Sequence, residues 1–296
     1  MEWKRCKYLA AMNTIKSVAV CGAGTMGSGI AQVAAMAGYQ TIQMDVHEPT
    51  LDKSRELIHK NLSFLVNKGK LSQAEMDACI NRIHFTTETS TCKADLIIEA
   101  IIEKEEAKIS LFQLLAGINL ETTIFATNTS SISISRIAQH IPHPERVVGI
   151  HFFNPAPLMK LVEVVGGKQS SSNSIEQSVE WVKAVGKTPI VCKDAPGFVV
   201  NRVARHYYLE SMKAMQDHKM QPAEVDRLME SSGFKMGPCK LMDLIGIDIN
   251  FGVSQIVWND LGNPIRLTPS TLQQAKVEAG ELGRKTGKGF YSYQKD

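Results

Sequence analysis

Short apolar runs rich in β-branched residues alternate with helix-length stretches from residue 15 to about residue 193. Between several runs, apolar residues recur at helical spacing, as Ile109, Phe112 and Leu115 do within residues 104–117. Because parallel strands need long crossover connections, this alternation predicts an α/β domain with a doubly wound, mostly parallel sheet. The predicted strands are SVAVC (17–21), TIQMD (41–45), DLIIEA (95–100), TIFAT (123–127), RVVGIHFF (146–153), LVEVV (161–165) and TPIVC (188–192).

The pattern changes after the sequence DAPG at residues 194–197. Only helical periods follow, and Gly and Pro residues separate them. The chain is therefore predicted to have an α/β domain over residues 15–194 and an all-helical C-terminal domain over residues 195–296, with residues 1–14 as an N-terminal extension. The predicted C-terminal helices are residues 199–218, 222–232, 239–250 and 268–281.

The composition is that of an ordinary soluble globular protein, with 44% hydrophobic and 21% charged residues in a chain of 296. The net charge is only +3, which is weak evidence for an extended anionic partner. No apolar run approaches the roughly 18–20 residues that span a bilayer. We therefore expect neither a nucleic-acid nor a membrane partner.

The cysteines and the first residues bear on the cellular location. The six cysteines are scattered without a CxxC pair or metal-type spacing, which indicates reduced thiols and no metal site. The start, MEWKRCKYLAAMN, is basic but lacks the apolar segment of a secretory signal. It is either a short organelle-targeting segment, which would fit the mitochondrial matrix, or an extension ahead of a true start at Met12. The expected location is the cytoplasm.

A glycine-rich hexapeptide, GAGTMG at residues 22–27, follows the first predicted strand and opens an amphipathic helix. Gly22 permits the tight turn, Gly24 lets the backbone approach a pyrophosphate, and Gly27 lets the helix pack closely on the sheet. The helix N-terminus at Thr25 and Met26 offers free N–H groups to the phosphates. A simple strand–helix turn is the alternative, but the surrounding pattern favours a Rossmann-like dinucleotide site.

Asp45 closes the next predicted strand, 23 residues after Gly22. A carboxylate there can accept hydrogen bonds from ribose hydroxyls and would repel a 2′-phosphate, which favours NAD over NADP. A solvated strand end is the alternative for Asp45 alone. The neighbouring His47 makes the exclusion of NADP less strict.

Two titratable residues, His151 and Glu163, interrupt the apolar stretch GIHFFNPAPLMKLVEVV at residues 149–165. The proline-rich sequence 154–157 predicts a turn, since proline fixes φ and cannot continue a central strand. If the two runs pair antiparallel about this turn, the side chains become near neighbours, because opposed Cβ atoms lie roughly 4.5–5.5 Å apart. The stretch alone leaves open whether this pair is catalytic or a structural ion pair.

A polar tetrad, NTSS at residues 128–131, follows the predicted strand TIFAT. Ligands of doubly wound sheets collect at the carboxyl ends of the strands, so the tetrad should lie on the same edge as the glycine loop. The alternative is an N-cap for a helix that begins near Ile132 or Ser133. One hydroxyl of the tetrad can cap the helix while another contacts a ligand.

Several motifs occur in a fixed order along the chain: GAGTMGSGIAQ, the aspartate after the second strand, NTSS, HFFNPAPLMKLVEV, DAPGFVVNR, MGP and GRKTGKGFY. Over about residues 15–294 the sequence resembles the NAD-dependent L-3-hydroxyacyl-CoA dehydrogenase family, in the short stand-alone form similar to 3-hydroxybutyryl-CoA dehydrogenases. The resemblance implies an oxidoreductase that interconverts (S)-3-hydroxyacyl-CoA and 3-oxoacyl-CoA with NAD. Short-chain substrates, 3-hydroxybutyryl-CoA and acetoacetyl-CoA, are expected in fatty acid β-oxidation.

The resemblance also implies roles for single residues. His151 matches the catalytic histidine, and Glu163 matches the carboxylate that orients it. Ser130 matches a serine near the substrate oxygen and the cofactor, while Asn201 matches an asparagine at the domain boundary that completes the site. Further implied cofactor contacts are Glu103, Lys108, Asn154 and, from the C-terminal tail, Lys285.

The CoA side and the C-terminal domain match less closely. Some family members contact CoA through a serine and a lysine that correspond here to Asn61 and Lys68, so the lysine is kept and the serine is not. The residues RHYY at 205–208 differ from the apolar stretch expected, and either the acyl pocket or a subunit contact would account for them. The resemblance implies a homodimer formed through the C-terminal domain.

Two other functions stay open from the sequence. A related NAD-dependent hydroxy-acid or sugar-acid dehydrogenase would share the two-domain plan, but HFFNP together with NTSS favours the CoA thioester branch. A non-catalytic NAD-binding sensor or crystallin-like protein would keep the glycine loop. The presence of His151, Glu163, Ser130 and Asn201 weighs against it.

Overall fold

A computed structural model describes residues 15–293, so the predicted extension 1–14 lies outside the described residues. The chain divides into two compact units between Asp194 and Ala195. The first unit contains a mixed sheet covered by helices, and the second contains helices and short turns. The α/β fold followed by helices is the one predicted from the sequence.

The first unit contains an eight-stranded sheet in the order β3-β2-β1-β4-β5-β6-β7-β8. All neighbouring strands run parallel except β6 and β7, which are antiparallel. The strand order switches between β1 and β4, because the chain adds β2 and β3 on one side of β1 and the later strands on the other. Ligands of such sheets bind at this switch point. The strands are β1 (Ser17–Cys21), β2 (Gln40–Met44), β3 (Ile83–Thr86), β4 (Leu96–Glu99), β5 (Ile124–Thr127), β6 (Val147–Phe152), β7 (Leu161–Gly166) and β8 (Thr188–Lys193).

Burial explains which strands the sequence revealed. Every residue of the central strands β4, β5 and β6 is buried, which gives the continuous apolar runs expected of strands covered on both faces. The prediction missed β3 at the edge of the sheet, because the strand is short and His84 in its middle is exposed. The helices of this unit are α1 (Thr25–Met36), α2 (Glu48–Asn67), α3 (Gln73–Asn81), α4 (Glu105–Ala116), α5 (Ile134–Ala138) and α6 (Ser172–Ala184).

The second unit packs its helices around a core that includes Met212, Cys239, Met242 and Val257. The prediction of one helix over residues 239–250 is wrong, because Gly246 adopts φ +104° and ends one helix where the next begins. Glycine reaches this conformation at little cost, whereas other residues do not. The helices are α7 (Val200–His218), α8 (Pro222–Ser231), α9 (Pro238–Ile245), α10 (Ile247–Asp260) and α11 (Thr271–Glu278).

Within residues 15–293, no single helix has the length and apolar character needed to cross a membrane. Helices α9 and α10 pass that test only when taken together, and they are bent by 99° at their junction.

Candidate active site

His151 and Glu163 face each other across β6 and β7, as the proline turn predicts. They are directly paired in the antiparallel register, and His151 Nδ1 lies 2.8 Å from Glu163 Oε2. Only 6% of His151 and none of Glu163 is exposed. Because a carboxylate only accepts hydrogen bonds, Nδ1 carries the hydrogen and Nε2 is the basic nitrogen of the neutral ring. The pair can take up a proton at Nε2 and stabilise the imidazolium that forms.

The turn that brings this pair together is held by Lys187, a residue that the sequence did not single out. Its Nζ donates to the carbonyl oxygens of Ala156, Pro157 and Met159 at 2.6, 3.1 and 2.8 Å. Burial lowers the pKa of Lys187. Three carbonyl acceptors around one ammonium group fix the path of the chain from β6 to β7. Asn154, the expected cofactor contact, is exposed in this turn.

The NTSS tetrad lies at the carboxyl end of β5, beside the strand that carries His151. Asn128 Oδ1 accepts a hydrogen bond from the Phe152 amide at 2.9 Å, which ties the tetrad to the residue after the histidine. Ser130 Oγ makes no hydrogen bond among the described residues, so its hydroxyl can donate to a ligand. The N-cap of α5 is Ser133, which accepts from the Arg136 amide, and not a member of the tetrad.

A buried carboxylate that sequence reasoning missed, Glu99, supports this edge of the sheet. It ends β4, is fully buried, and accepts from Lys108 Nζ, Thr127 Oγ1 and the Ile101 amide, each at 2.7 Å. Lys108 is 1% exposed, so it acts inside the protein as the counter-ion of Glu99. The signal was present, since the apolar run DLIIEA has a glutamate one residue before its end, just as LVEVV contains one.

Glu103 links that ion pair to the tetrad. Its Oε2 lies 3.1 Å from Lys108 Nζ, and its Oε1 accepts from Thr129 Oγ1, the Ser130 amide and Ser131 Oγ. Burial would raise the pKa of this carboxyl, but Lys108 and the hydrogen bonds outweigh burial and lower it. The structure thus places Glu103 and Lys108, both expected as cofactor contacts, where they order the loop that carries Ser130.

The glycine loop has the geometry of a dinucleotide cradle. Gly22 adopts φ +106°, and a Cβ on Gly27 would overlap the carbonyl oxygen of Gly22. A Cβ on Gly24 would meet nothing within 4 Å, so the space above this residue is open to a ligand. Thr25 and Met26 form the start of α1, as predicted. A tight turn, an open central glycine and a helix N-terminus fit the pyrophosphate of NAD.

Asp45 lies directly after β2 and contacts this loop. Its Oδ2 accepts from the Ala23 amide at 2.8 Å and its Oδ1 from the His47 amide at 3.0 Å. Each carboxylate oxygen can accept a further hydrogen bond. The side chain therefore holds the glycine loop against β2 and keeps acceptors for the hydroxyls of a ribose.

The two expected CoA contacts lie on α2 and at its end. Asn61 Nδ2 donates to Gln32 Oε1 of α1 at 3.0 Å, so this side chain joins two helices. Lys68 caps α2 and is exposed, with its Nζ 5.6 Å from the ring centroid of Phe64. Lys68 is the more accessible of the two to an anionic ligand.

In the second unit, Asn201 lies in the first turn of α7, and its carbonyl accepts from Arg205 Nε at 3.0 Å. Lys285 donates to Asp248 Oδ2 at 2.7 Å. Burial opposes this ionised carboxyl, but Lys285 and backbone hydrogen bonds together outweigh burial and lower the pKa of Asp248. Within residues 15–293, no group of three or more His, Cys, Asp or Glu side chains could hold a metal ion.

The C-terminal tail that carries Lys285 is fastened by Asp243, a buried residue of α9. Its two oxygens accept from the amides of Phe290 and Tyr291 at 2.9 and 3.0 Å, and from the Tyr293 hydroxyl at 2.9 Å. A Cβ on Gly289 would overlap the Asp243 carboxylate, which explains a glycine in the motif GRKTGKGFY. The tail is therefore a packed part of the second unit.

Comparison with known proteins agrees with the resemblance found in the sequence. Residues 17–195 match the family model "3-hydroxyacyl-CoA dehydrogenase, NAD binding domain", and residues 197–293 match "3-hydroxyacyl-CoA dehydrogenase, C-terminal domain". A 3-hydroxyadipyl-CoA dehydrogenase of Escherichia coli is 44% identical over 96% of this chain, which spans 60% of that longer protein. A 3-hydroxybutyryl-CoA dehydrogenase of Clostridioides difficile is 39% identical over 94% of this chain and 99% of that protein.

A solved structure extends the agreement to the fold. The crystal structure of (S)-3-hydroxybutyryl-CoA dehydrogenase from Ralstonia eutropha superposes with a TM-score of 0.91, at 36% identity, over 95% of this chain and 100% of that one. Both family models and these relatives cover nearly all of the described residues. The chain therefore belongs to the 3-hydroxyacyl-CoA dehydrogenase family.

Proposed function

We propose that this protein is an NAD-dependent 3-hydroxyacyl-CoA dehydrogenase that interconverts (S)-3-hydroxyacyl-CoA and 3-oxoacyl-CoA. The observation that carries the proposal is the buried His151–Glu163 pair, 2.8 Å apart, at the carboxyl end of β6. The glycine loop follows the carboxyl end of β1 in the same sheet. A general base and a dinucleotide cradle on one edge suit the oxidation of an alcohol.

In the proposed reaction, His151 Nε2 takes the proton of the 3-hydroxyl group. Glu163 keeps the ring in the required tautomer and stabilises the imidazolium. The Ser130 hydroxyl donates to the substrate oxygen as charge develops on it, and the resemblance gives Asn201 the same task. Such donors are typically worth about 2.7–4 kcal/mol each. NAD, when bound, accepts the hydride that leaves carbon 3.

The hydrogen bonds around Ser130 and His151 support these roles. Glu103, which is paired with Lys108, accepts from the Ser130 amide, so the Ser130 hydroxyl is presented from an ordered loop. Asn128 fixes the same loop to the residue that follows His151. A donor and a base held on adjacent parallel strands keep their spacing without a cost in ordering at each turnover.

The experiment is a steady-state assay of NADH formation with 3-hydroxybutyryl-CoA and with free 3-hydroxybutyrate. We expect turnover of the thioester and little of the free acid. The reverse preference would favour a hydroxy-acid dehydrogenase, and NAD binding without turnover of either compound would favour a non-catalytic sensor. His151→Gln should abolish turnover while NAD binding persists. The matched control is His84→Gln, on the exposed edge strand β3, which should keep full activity.

The proposal extends to the cellular setting and the oligomeric state. We place the protein in the cytoplasm, in fatty acid β-oxidation, as a homodimer formed through the second unit. Exposed apolar side chains on that unit, such as Leu228, Leu244 and Ile249, support an interface between copies. Sedimentation velocity would test the dimer, and localisation of a tagged full chain would test the compartment. A monomer at micromolar concentration would contradict the proposed dimer.

A further inference from the structure

Arg205 in α7 is a buried cation whose described partners are all neutral. It is 3% exposed, and its Nη1 donates to the Asn250 carbonyl at 2.7 Å and to Ser254 Oγ at 2.8 Å, both on α10. None of the ion pairs found within residues 15–293 includes it. Burying a charge without a counter-ion is costly, so a residue that only joined two helices would not need to be charged.

The surroundings of Arg205 keep it cationic without neutralising it. Burial lowers its pKa to about 10, with Tyr208 acting in the opposite direction, so the guanidinium remains protonated at neutral pH. Asn250 is held in turn by Gln273, whose Nε2 donates to Asn250 Oδ1 at 2.9 Å. Both Asn250 and Gln273 are buried and uncharged. The surroundings of the guanidinium are therefore polar and positively charged, as in an anion-binding site, and none of its described partners is an anion.

The guanidinium is fixed on one side and available on the other. Its Nε and Nη1 are used by Asn201, Asn250 and Ser254. Nη2 makes no hydrogen bond among the described residues, so it keeps its donors for a ligand. The Tyr208 hydroxyl likewise has no hydrogen-bond partner among the described residues, and the guanidinium carbon lies 5.0 Å from the centroid of that ring. Two donors on one helix face suit the two oxygens of a carboxylate.

The position of Arg205 relates it to the acyl chain of the substrate. Side chains of a helix point towards its N-terminus, and the Nε bond brings this guanidinium against the backbone of Asn201, one turn earlier. In the proposed function, Asn201 donates to the oxygen on carbon 3. The terminal carboxylate would lie three carbon–carbon bonds beyond carbon 3, and each bond is roughly 1.5 Å long. That distance is on the scale of one helical turn of about 5.4 Å.

We infer that Arg205 binds the far carboxylate of a short dicarboxylic acyl-CoA, so that the preferred substrates are 3-hydroxyacyl-CoA thioesters with a second acid group. This inference rests on the proposed function and names its substrate class. It accounts for the charged residue in the RHYY segment, where the resemblance leads one to expect an apolar side chain. The name of the Escherichia coli relative, a 3-hydroxyadipyl-CoA dehydrogenase, refers to a substrate of this chemistry.

The test compares two thioesters of equal chain length, 3-hydroxyadipyl-CoA and 3-hydroxyhexanoyl-CoA, which differ in a terminal carboxylate against a methyl group. For the wild-type protein we expect kcat/KM to be about tenfold to a hundredfold higher for the dicarboxylic compound, since a hydrogen-bonded charge typically contributes that much. Arg205→Met should remove this preference by lowering kcat/KM for 3-hydroxyadipyl-CoA alone. Arg205→Lys, which keeps the charge, should restore part of it.

The matched control is Arg202→Met, an exposed arginine three residues earlier on α7, which should leave both kcat/KM values unchanged. Equal use of the two thioesters by the wild-type protein, or an equal loss for both in Arg205→Met, would overturn the inference. If Arg205→Met does not fold, competition by adipyl-CoA against hexanoyl-CoA in the wild-type protein decides the matter. Failure to oxidise either thioester would instead overturn the proposed function, and the inference with it.

Discussion

The Nδ1 atom of His151 lies 2.8 Å from the Oε2 atom of Glu163, across the one antiparallel pair among the described strands of the sheet. The two residues are 12 positions apart in the chain and directly opposite in the register. Both lie where an unpaired charge would be costly, because each is surrounded by buried residues of β6 and β7. The relationship predicts how the pair responds when one partner is changed.

Glu163→Gln should lower kcat by about 10²–10⁴-fold, because the amide cannot stabilise an imidazolium as a carboxylate does. The pH–rate profile should also shift, since the charge beside the ring is gone. Thermal unfolding of the variant would show that the fold persists. A normal profile with a proportional loss of folded protein would instead assign Glu163 a structural role.

Two glycines of the same loop should respond differently to alanine. Gly27→Ala forces a Cβ into the Gly22 carbonyl oxygen and should lower the free energy of unfolding by about 1–3 kcal/mol. Gly24→Ala meets no atom within 4 Å and should leave stability within about 0.5 kcal/mol while weakening NAD binding. Chemical denaturation and NAD titration of both variants would check this. Equal stability losses would contradict the assignment of Gly24 to the ligand side.

The ion pair of Glu99 and Lys108 should be the most sensitive electrostatic contact of the first unit. Lys108→Met leaves a fully buried carboxylate without its cation and should destabilise the protein by about 3–5 kcal/mol. Urea unfolding would measure the loss. The control is Arg136→Gln, which breaks the exposed pair with Glu105 and should cost less than about 1 kcal/mol. A similar small cost for Lys108→Met would contradict the role of Lys108 as the counter-ion of Glu99.

Glu103 should make the order of the tetrad depend on pH. Its pKa is lower in the folded protein than the ordinary value of 4.5. A carboxyl whose pKa is lowered by folding contributes stability that is complete above its unfolded pKa and is lost as pH falls through the folded value. The hydrogen-exchange protection factor of the Ser130 amide should therefore fall as the pH drops below about 4.5. Glu103→Gln should show little of this dependence, and an identical pH dependence would refute the role.

Much of the site follows from local patterns in the sequence. The glycine loop is recognisable because backbone geometry near a pyrophosphate needs glycine at set positions, and the close approach of Gly27 to Gly22 agrees. The pairing of His151 with Glu163 was predictable because a two-proline turn leaves few registers that keep both apolar runs buried. Asp45 was found by its place after the second strand. The hydrogen bond that Asp45 accepts from the Ala23 amide was not predictable from the sequence.

The sequence by itself determined most of the order of strands and helices, the glycine loop and the pairing of His151 with Glu163, because these depend on periodicity, turn residues and segments close together in the chain. Only the tertiary structure decided that Glu99, Lys108 and Glu103 form one network behind Ser130, and that Arg205 is buried among Asn201, Asn250 and Ser254. These contacts join residues from different strands and helices. In an amphipathic sequence pattern, a charged residue is predicted to be solvent-exposed, and only the packing of other elements against it shows that it is buried.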